Sequence, residues 1–314
     1  MKKLLFTGGG GSGSEAIMRL LNKKYVIHFA DADISKISPS IKKDYKHSIP
    51  YAEDKLFLPE LIKICNNLEI DYLFPGVDEE LITIAKSSKQ FLSTELILPS
   101  LKFIRTNLNK LKTAEYYRTK NIKVPKTQVL SDYNYHIEPP LISKPKEGRG
   151  SRNVIRHKSN NEITHLQNIL SNSDDYIIQE AINGQEFTVQ MISDKNSNLR
   201  AVVPVKLYEK SGITISGITE NEKNVISTCK EIHKAYPTPG IYNIQLILTD
   251  NKEAIPFEIN PRISTTFCLV LYSLSVDPIE LFLNENKTQT GIVNFKEGIR
   301  LDRYWYNHFS NEKV

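Results

Sequence analysis

The chain has 314 residues, enough for two hydrophobic cores rather than one. Apolar residues at 40% and charged residues at 25% are the proportions of a globular protein, and the apolar stretches are strand-sized, which excludes a membrane-spanning helix. The net charge of +5 is spread along the chain, so a nucleic-acid partner is not expected, and Lys42, Lys43 and Lys46 read as a solvated face.

The start, Met1-Lys2-Lys3-Leu4-Leu5-Phe6, runs straight into glycines and lacks the longer apolar core of a secretory signal, so a cytoplasmic location is expected. Lys3 to Phe6 predicts a strand, Thr7 to Ser14 a glycine-rich turn, Glu15 to Leu21 a helix, and Tyr25 to Ala30 a second strand. A helix over Lys55 to Leu68, a strand over Ile70 to Phe74, a helix over Glu79 to Lys86 and a short strand over Leu96 to Leu98 continue the alternation. Strands alternating with helices predict an α/β unit with a parallel sheet. The boundary to a second unit is expected between Pro99 and Arg105, giving domains 1–103 and 104–314.

The second unit reads as α+β. A helix over Asn109 to Lys120 precedes short strands at Leu141 to Lys144, Asn153 to Arg156 and Tyr176 to Gln179, with a helix at Asn161 to Leu170 between the last two. Strands follow at Glu186 to Ile192, Leu199 to Lys206, Tyr242 to Leu248 and Ala254 to Ile259, with helices near Asn221 to Ala235 and Pro278 to Leu283. The Arg303-Tyr304-Trp305-Tyr306 run predicts an amphipathic strand. Cys65, Cys229 and Cys268 lie far apart in apolar patterns without metal-ligand spacing, and read as buried free thiols.

The Gly8 to Gly13 turn sits between a strand and a helix, where backbone N–H groups can meet an anion. Taken alone it suggests a dinucleotide site, and hence an NAD-dependent oxidoreductase; a substrate-facing or structural turn competes with that reading. Gly10 and Ser12 are then the substrate candidates.

A more informative set of residues is spread over the second unit. Lys144 ends an apolar strand and is followed by Glu147-Gly148-Arg149-Gly150-Ser151, a lysine and a flexible loop suited to phosphate but without a Walker A pattern. A charged surface hairpin would look the same. Tyr176 to Gln185 is an apolar strand running into a polar hinge, with Glu186 opening the next strand. In Phe257-Glu258-Ile259-Asn260-Pro261-Arg262, Glu258 and Asn260 share one face of a strand, and Gln245 can meet them from a neighbouring strand. Such oxygen ligands suit Mg²⁺, and Arg262 would stand beside a transferred phosphoryl group.

Together these pieces resemble the ATP-grasp superfamily, in its carbamoyl-phosphate-synthetase-like branch of carboxylate–amine ligases, over nearly the whole chain. The most specific motif is Gln245 with Phe257-Glu258-Ile259-Asn260-Pro261-Arg262-Ile263-Ser264. The resemblance implies a pre-ATP-grasp α/β domain followed by an ATP-grasp domain whose lid spans about 111–178. It implies that Lys110 and Lys144 contact the nucleotide, and that Gly148, Arg149, Gly150 and Ser151 close over the phosphates. Gln179, Glu180, Ala181 and Ile182 match the adenine hinge and Glu186 the ribose ligand, while Gln245, Glu258 and Asn260 match the metal ligands. Many of these ligases carry a carboxylate at the position of Gln245, so one of two metals is expected to be held more weakly.

The implied cofactors are ATP and one or two Mg²⁺, with Mn²⁺ as a substitute. The implied reaction activates a small carboxylate as an acyl phosphate for attack by an amine, giving an amide, ADP and phosphate. Phosphoryl transfer of the kinase or carboxylase type is the alternative within the superfamily. Asp78 is the candidate for a substrate ammonium, and Lys206 or Arg262 for a carboxylate. The partners are therefore small molecules; a homodimer is compatible with the chain's size.

Overall fold

The computed structural model describes residues 1–284, 291–305, 307 and 309. Its first unit contains β1 (Lys3–Thr7), α1 (Ser14–Leu21), β2 (Val26–Asp31), β3 (Lys46–Ser48), α2 (Phe57–Leu68), β4 (Tyr72–Phe74), α3 (Asp78–Lys86) and β5 (Glu95–Leu96). These strands form a parallel sheet in the order β3-β2-β1-β4-β5. In β1, Leu4 and Phe6 enter one core while Leu5 enters another, because a parallel strand is covered on both faces.

The chain continues through α4 (Leu101–Asn107) and α5 (Lys110–Thr119) into a four-stranded antiparallel sheet. This contains β6 (Thr127–Val129), β7 (Leu141–Pro145), β8 (Ile155–His157) and, after α6 (Asn160–Ile169), β9 (Tyr176–Glu180). Its order is β6-β9-β7-β8. Leu141, Ile163, Leu166 and Ile178 make its own small core.

The larger antiparallel sheet is built from β10 (Gln185–Ser193), β11 (Leu199–Ser211), β12 (Ile213–Thr219) and, after α7 (Lys223–Ala235), β13 (Gly240–Leu248) and β14 (Ala254–Asn260). Helices α8 (Phe267–Ser273) and α9 (Pro278–Leu283) follow, and β15 (Arg300–Asp302) closes the order β14-β13-β10-β11-β12-β15. One face packs Phe187, Val189, Tyr242 and Ile244 against Val225, Cys229 and Ile232 of α7. The other face sends Ile192, Ala201, Val203 and Ile241 into the core that holds Leu4, Phe6 and Phe74 of the parallel sheet. Phe267 joins the two, its ring centroid 6.3 Å from that of Phe74. The two units therefore share a continuous core, which fixes the end of the parallel sheet against the larger antiparallel one.

Several elements differ from expectation. β3 and β6 read Lys-His-Ser and Thr-Gln-Val, too short and polar to show a periodicity. β12 holds Gly217, whose Cα passes so close to Lys206 that an added Cβ would lie 2.9 Å from its carbonyl oxygen. The last strand is Arg300–Asp302 rather than the aromatic run after it; Tyr304 and Trp305 are exposed, and Tyr306 lies outside the described residues. All three cysteines are buried and free, and burial pushes the Cys65 thiol up to about 12. Among the described residues no helix is long and apolar enough to cross a membrane.

Candidate active site

The hinge between the two antiparallel sheets runs from Glu180 to Gly184. Glu180 and Ala181 give their N–H groups to the carbonyls of Lys126 (2.9 Å) and Pro140 (3.1 Å), while the Ile182 N–H has no acceptor among the described residues. Gln179 turns into the smaller sheet, where its amide donates to Thr127 Oγ1 at 2.8 Å, so only its backbone can serve the hinge edge. Gly184 has φ of +147°, and a Cβ there would stand 2.2 Å from the Leu248 carbonyl oxygen. Only glycine allows the chain to turn this closely over β13.

Strand register assembles the polar side chains beyond the hinge. Glu186, Thr188 and Gln190 alternate onto one face of β10; Thr188 and Gln190 pair with Gln245 and Asn243 of β13, which pair in turn with Glu258 and Asn260 of β14. The expected meeting of Gln245, Glu258 and Asn260 thus occurs on one face. Beyond Glu258 the register slips to Leu246 opposite Pro256, leaving Phe257 as the extra residue of a bulge. Its ring lies beneath two ammonium groups, Lys144 Nζ at 5.3 Å and Lys210 Nζ at 5.8 Å from the centroid.

Lys144 comes from β7 and is only 4% exposed. Burial, aided by the neighbouring charges of Lys110 and Lys210, lowers its pKa to about 8, while Glu258 and Glu186 act in the opposite direction. Lys110, at the start of α5, donates to the Gly148 carbonyl at 2.8 Å and so tethers the glycine loop. That loop adopts left-handed backbone at Gly148 (φ +125°), Gly150 (φ +69°) and Ser151 (φ +56°). The loop's Arg149 pairs with Glu79 of α3 at 3.1 Å, reaching across to the first unit. Three ammonium groups converging on two carboxylates, Glu186 and Glu258, make a site suited to a polyphosphate.

Glu258 has no hydrogen-bond donor or ion-pair partner among the described residues, although it acts electrostatically on Lys144 and Arg262. A free carboxylate beside the Asn260 amide offers hard oxygen donors but only one negative charge. That donor set fits a Mg²⁺ shared with phosphate oxygens rather than one held by protein alone, and among the described residues no group of three His, Cys, Asp or Glu side chains is arranged to hold a metal ion.

Arg262 closes the other end. Its guanidinium binds both carboxylate oxygens of Asp78 from α3, with Nη2 to Oδ2 at 3.2 Å, and reaches Asn260 Oδ1 at 3.5 Å. Burial opposes its charge, but the carboxylates of Asp78, Glu258 and Glu79 raise its pKa above the ordinary value. Glu80, next in α3, is buried and accepts from Thr7 Oγ1 and from the N–H groups of Gly76 (2.9 Å) and Val77 (3.1 Å). Burial raises its pKa to about 7 against those hydrogen bonds. The three acids that open α3 therefore do separate jobs, two of them holding arginines of the second unit.

The glycine turn offers little to a dinucleotide. The N–H groups of Gly9, Gly10 and Gly11 are taken by Ala30 O, Asp31 Oδ2 and Gly8 O. The Ser12 carbonyl accepts from Arg303, which also holds the carbonyls of Thr214 and Thr265. Arg303 thus secures the turn against the second unit, a role its run of aromatics does not advertise.

Lys206, expected to meet a substrate carboxylate, does not reach this site. It pairs in register with Phe187, so its side chain leaves the sheet on the face opposite Glu186 and Gln245. There it meets Glu220 at 3.1 Å beside a separate cavity of about 240 Å³. The lysine that reaches the site is Lys210, beyond two register shifts in β11 that break the alternation. It ion-pairs with Glu186 and donates to Gln245 Oε1 at 3.1 Å.

Comparison with known proteins accords with this arrangement. Residues 108–266 match the profile of the ATP-grasp domain, and residues 4–98 that of the PylC-like N-terminal domain. The chain belongs to the ATP-grasp family. It is 20% identical over 269 residues to a carbamoyl-phosphate synthase of Methanobrevibacter smithii, covering 79% of this chain and 71% of that one. The fold is similar to N5-carboxyaminoimidazole synthetase of Staphylococcus aureus solved with ADP (TM-score 0.71, 11% identity, 94% of this chain and 80% of that one). It is also similar to the L-amino acid ligase of Bacillus licheniformis (TM-score 0.66, 16% identity, 90% and 73%).

Proposed function

We propose that the chain is an ATP-dependent ligase that phosphorylates a small carboxylate and passes the acyl group to an amine. The observation that carries this reading is the convergence of Lys144, Glu258, Asn260 and Arg262 on one region beside the glycine loop that Lys110 tethers, with Asp78 of the first unit held against Arg262. In this reading the division lies near residue 103, and the sheet formed by β6 to β9 is the lid.

The adenine edge meets the hinge, where the Ile182 N–H is open, and Glu186 faces the ribose hydroxyls. Lys110, Lys144 and the backbone of Gly148 to Ser151 hold the phosphates. Glu258 and Asn260 would hold Mg²⁺, which when bound would supply charge neutralisation. A substrate carboxylate drawn toward Arg262 places an oxygen in line with the γ-phosphorus. That oxygen forms a bond to phosphorus as the bond to the β-phosphate oxygen breaks, and ADP leaves. The amine nitrogen then adds to the acyl carbon, phosphate departs with the C–O bonding electrons, and nitrogen loses a proton. Closure of the loop, held by Lys110 and Arg149, keeps water from the acyl phosphate.

The named activities of the carbamoyl-phosphate synthase and L-amino acid ligase relatives support acid activation here. A cytoplasmic location, where ATP is available, goes with this reading. The test is ADP release in the presence of Mg²⁺ across a panel of carboxylates, each with and without a pool of amines, beside Glu258→Gln. Turnover needing both an acid and an amine, and lost in the variant, is the expected result. ADP release independent of any acid or amine would contradict it.

A further inference from the structure

Glu258 has Asn260 two residues along its own strand and Gln245 opposite it across the ladder, so a cation on its carboxylate could be joined from either side. We infer that the ammonium of Lys210 permanently fills the Gln245 side, so that this chain binds its nucleotide with one divalent cation instead of two. The inference rests on the ATP reading above.

The chemistry of the residues leads there. Gln245 is neutral, so the oxygen it presents cannot offset the charge of a second divalent ion. That oxygen already accepts from Lys210 Nζ at 3.1 Å, and the same ammonium is ion-paired with Glu186. Glu186, the other carboxylate on this side among the described residues, is therefore committed to a lysine. Lys210 side-chain exposure is 24% and that of Glu186 is 26%, so the pair is largely withdrawn from water. The Phe257 ring lies beneath it at 5.8 Å, and the same ring supports Lys144. A second divalent ion here would face two ammonium groups at close range and would have to share the Glu258 carboxylate with the first ion. On the Asn260 side, by contrast, Glu258 has both carboxylate oxygens available.

The position of Lys210 is a product of the fold rather than of simple alternation. Register shifts between Leu207 and Glu209, and again between Glu209 and Lys210, let β11 turn this side chain onto the face of Gln245. A lysine there supplies one positive charge near the phosphates without depending on the free metal concentration. Lys210 is thus a positioning and charge-supplying residue that excludes an ion.

The test counts bound Mn²⁺ by electron paramagnetic resonance at saturating β,γ-methylene-ATP, with nucleotide binding measured on the same samples. The wild-type chain is expected to hold one Mn²⁺ per bound nucleotide, and Lys210→Ala and Lys210→Met to hold two. Two Mn²⁺ per nucleotide in the wild type would overturn the inference while leaving the ATP reading intact, and that count needs no variant to fold. A count of one in folded, nucleotide-binding variants would also overturn it, because Lys210 would then not be what excludes the second ion. Failure of the wild type to bind nucleotide would instead overturn the ATP reading itself, and this inference with it.

Discussion

Arg262 and Asp78 lie 184 positions apart, yet the guanidinium of one grips both carboxylate oxygens of the other. The pair joins the end of β14 to the first turn of α3, with side-chain exposures of only 14% and 11%. Removing one member leaves a shielded charge without its partner, at a cost of roughly 3–5 kcal/mol. Asp78→Asn is therefore expected to lower the melting temperature and also to alter the acid's KM, because Arg262 is released from its partner. Arg262→Lys cannot reproduce the bidentate grip and should lower kcat/KM about 100-fold or more. Calorimetry and steady-state kinetics check both; an Asp78→Asn enzyme unchanged in stability and KM would refute the role given to the pair.

The Arg149–Glu79 pair links the tip of the glycine loop to the same helix turn. Its members are partly exposed, so its contribution to stability is small, and its effect should fall on loop closure. Glu79→Arg is expected to raise the KM for ATP about 5- to 10-fold with little change in melting temperature. The double variant Glu79→Arg/Arg149→Glu should recover much of the loss. Trypsin cleavage at Arg149 and Arg152 offers a second readout, faster in the single variant and slowed by nucleotide. Equal KM values across the wild type and both variants would exclude a latch.

In the proposed reading, where Lys144 meets the phosphates, nucleotide binding depends on protons. Its folded pKa of about 8 lies below the ordinary 10.5, so the folded chain binds fewer protons than the unfolded one between those values. Stability contributed through Lys144 therefore rises with pH from about 8 to about 10.5, and charging it in the empty fold costs on the order of 3 kcal/mol at neutral pH. A bound triphosphate raises the pKa again. Titration calorimetry near pH 8 in buffers of different ionisation enthalpy should show proton uptake on binding ATP·Mg²⁺, and almost none at pH 6.5. Lys144→Met should remove the uptake and stabilise the empty protein. Uptake persisting in Lys144→Met would assign the proton elsewhere.

Gly184 bears the close crossing at the hinge. With φ of +147° and the Leu248 carbonyl where a Cβ would go, Gly184→Ala should cost at least about 2 kcal/mol and several degrees in melting temperature. Thermal unfolding checks this, with Gly291→Ala as a comparison, where a Cβ would meet nothing within 4 Å. Its positive φ of +87° carries backbone strain alone, so it should cost less. Equal losses at both positions would mean the crossing is not tight.

What could be read from the sequence followed from local periodicity. The Leu4-Leu5-Phe6 strand, the alternation of β10 and β13, and Glu258 with Asn260 on one strand face are all properties of neighbouring residues. What could not be read depended on breaks in that alternation or on distance. Lys206 and Lys210 are four residues apart, and parity would place them on the same face; two register shifts put only Lys210 in the site. Phe257 reaches both lysines because a bulge frees it from the ladder. The pairing of Asp78 with Arg262, and of Arg303 with the glycine turn, needs the two units docked, which no local pattern encodes.

In the proposed reaction a substrate carboxylate is phosphorylated by ATP before an amine displaces phosphate. Once the panel has identified the acid, that acid labelled with ¹⁸O in its carboxylate provides the direct measurement, by mass spectrometry of the phosphate released. One ¹⁸O is expected to pass from the acid to phosphate per amide formed, with no transfer in Glu258→Gln. Phosphate free of label, with amide still produced, would contradict it.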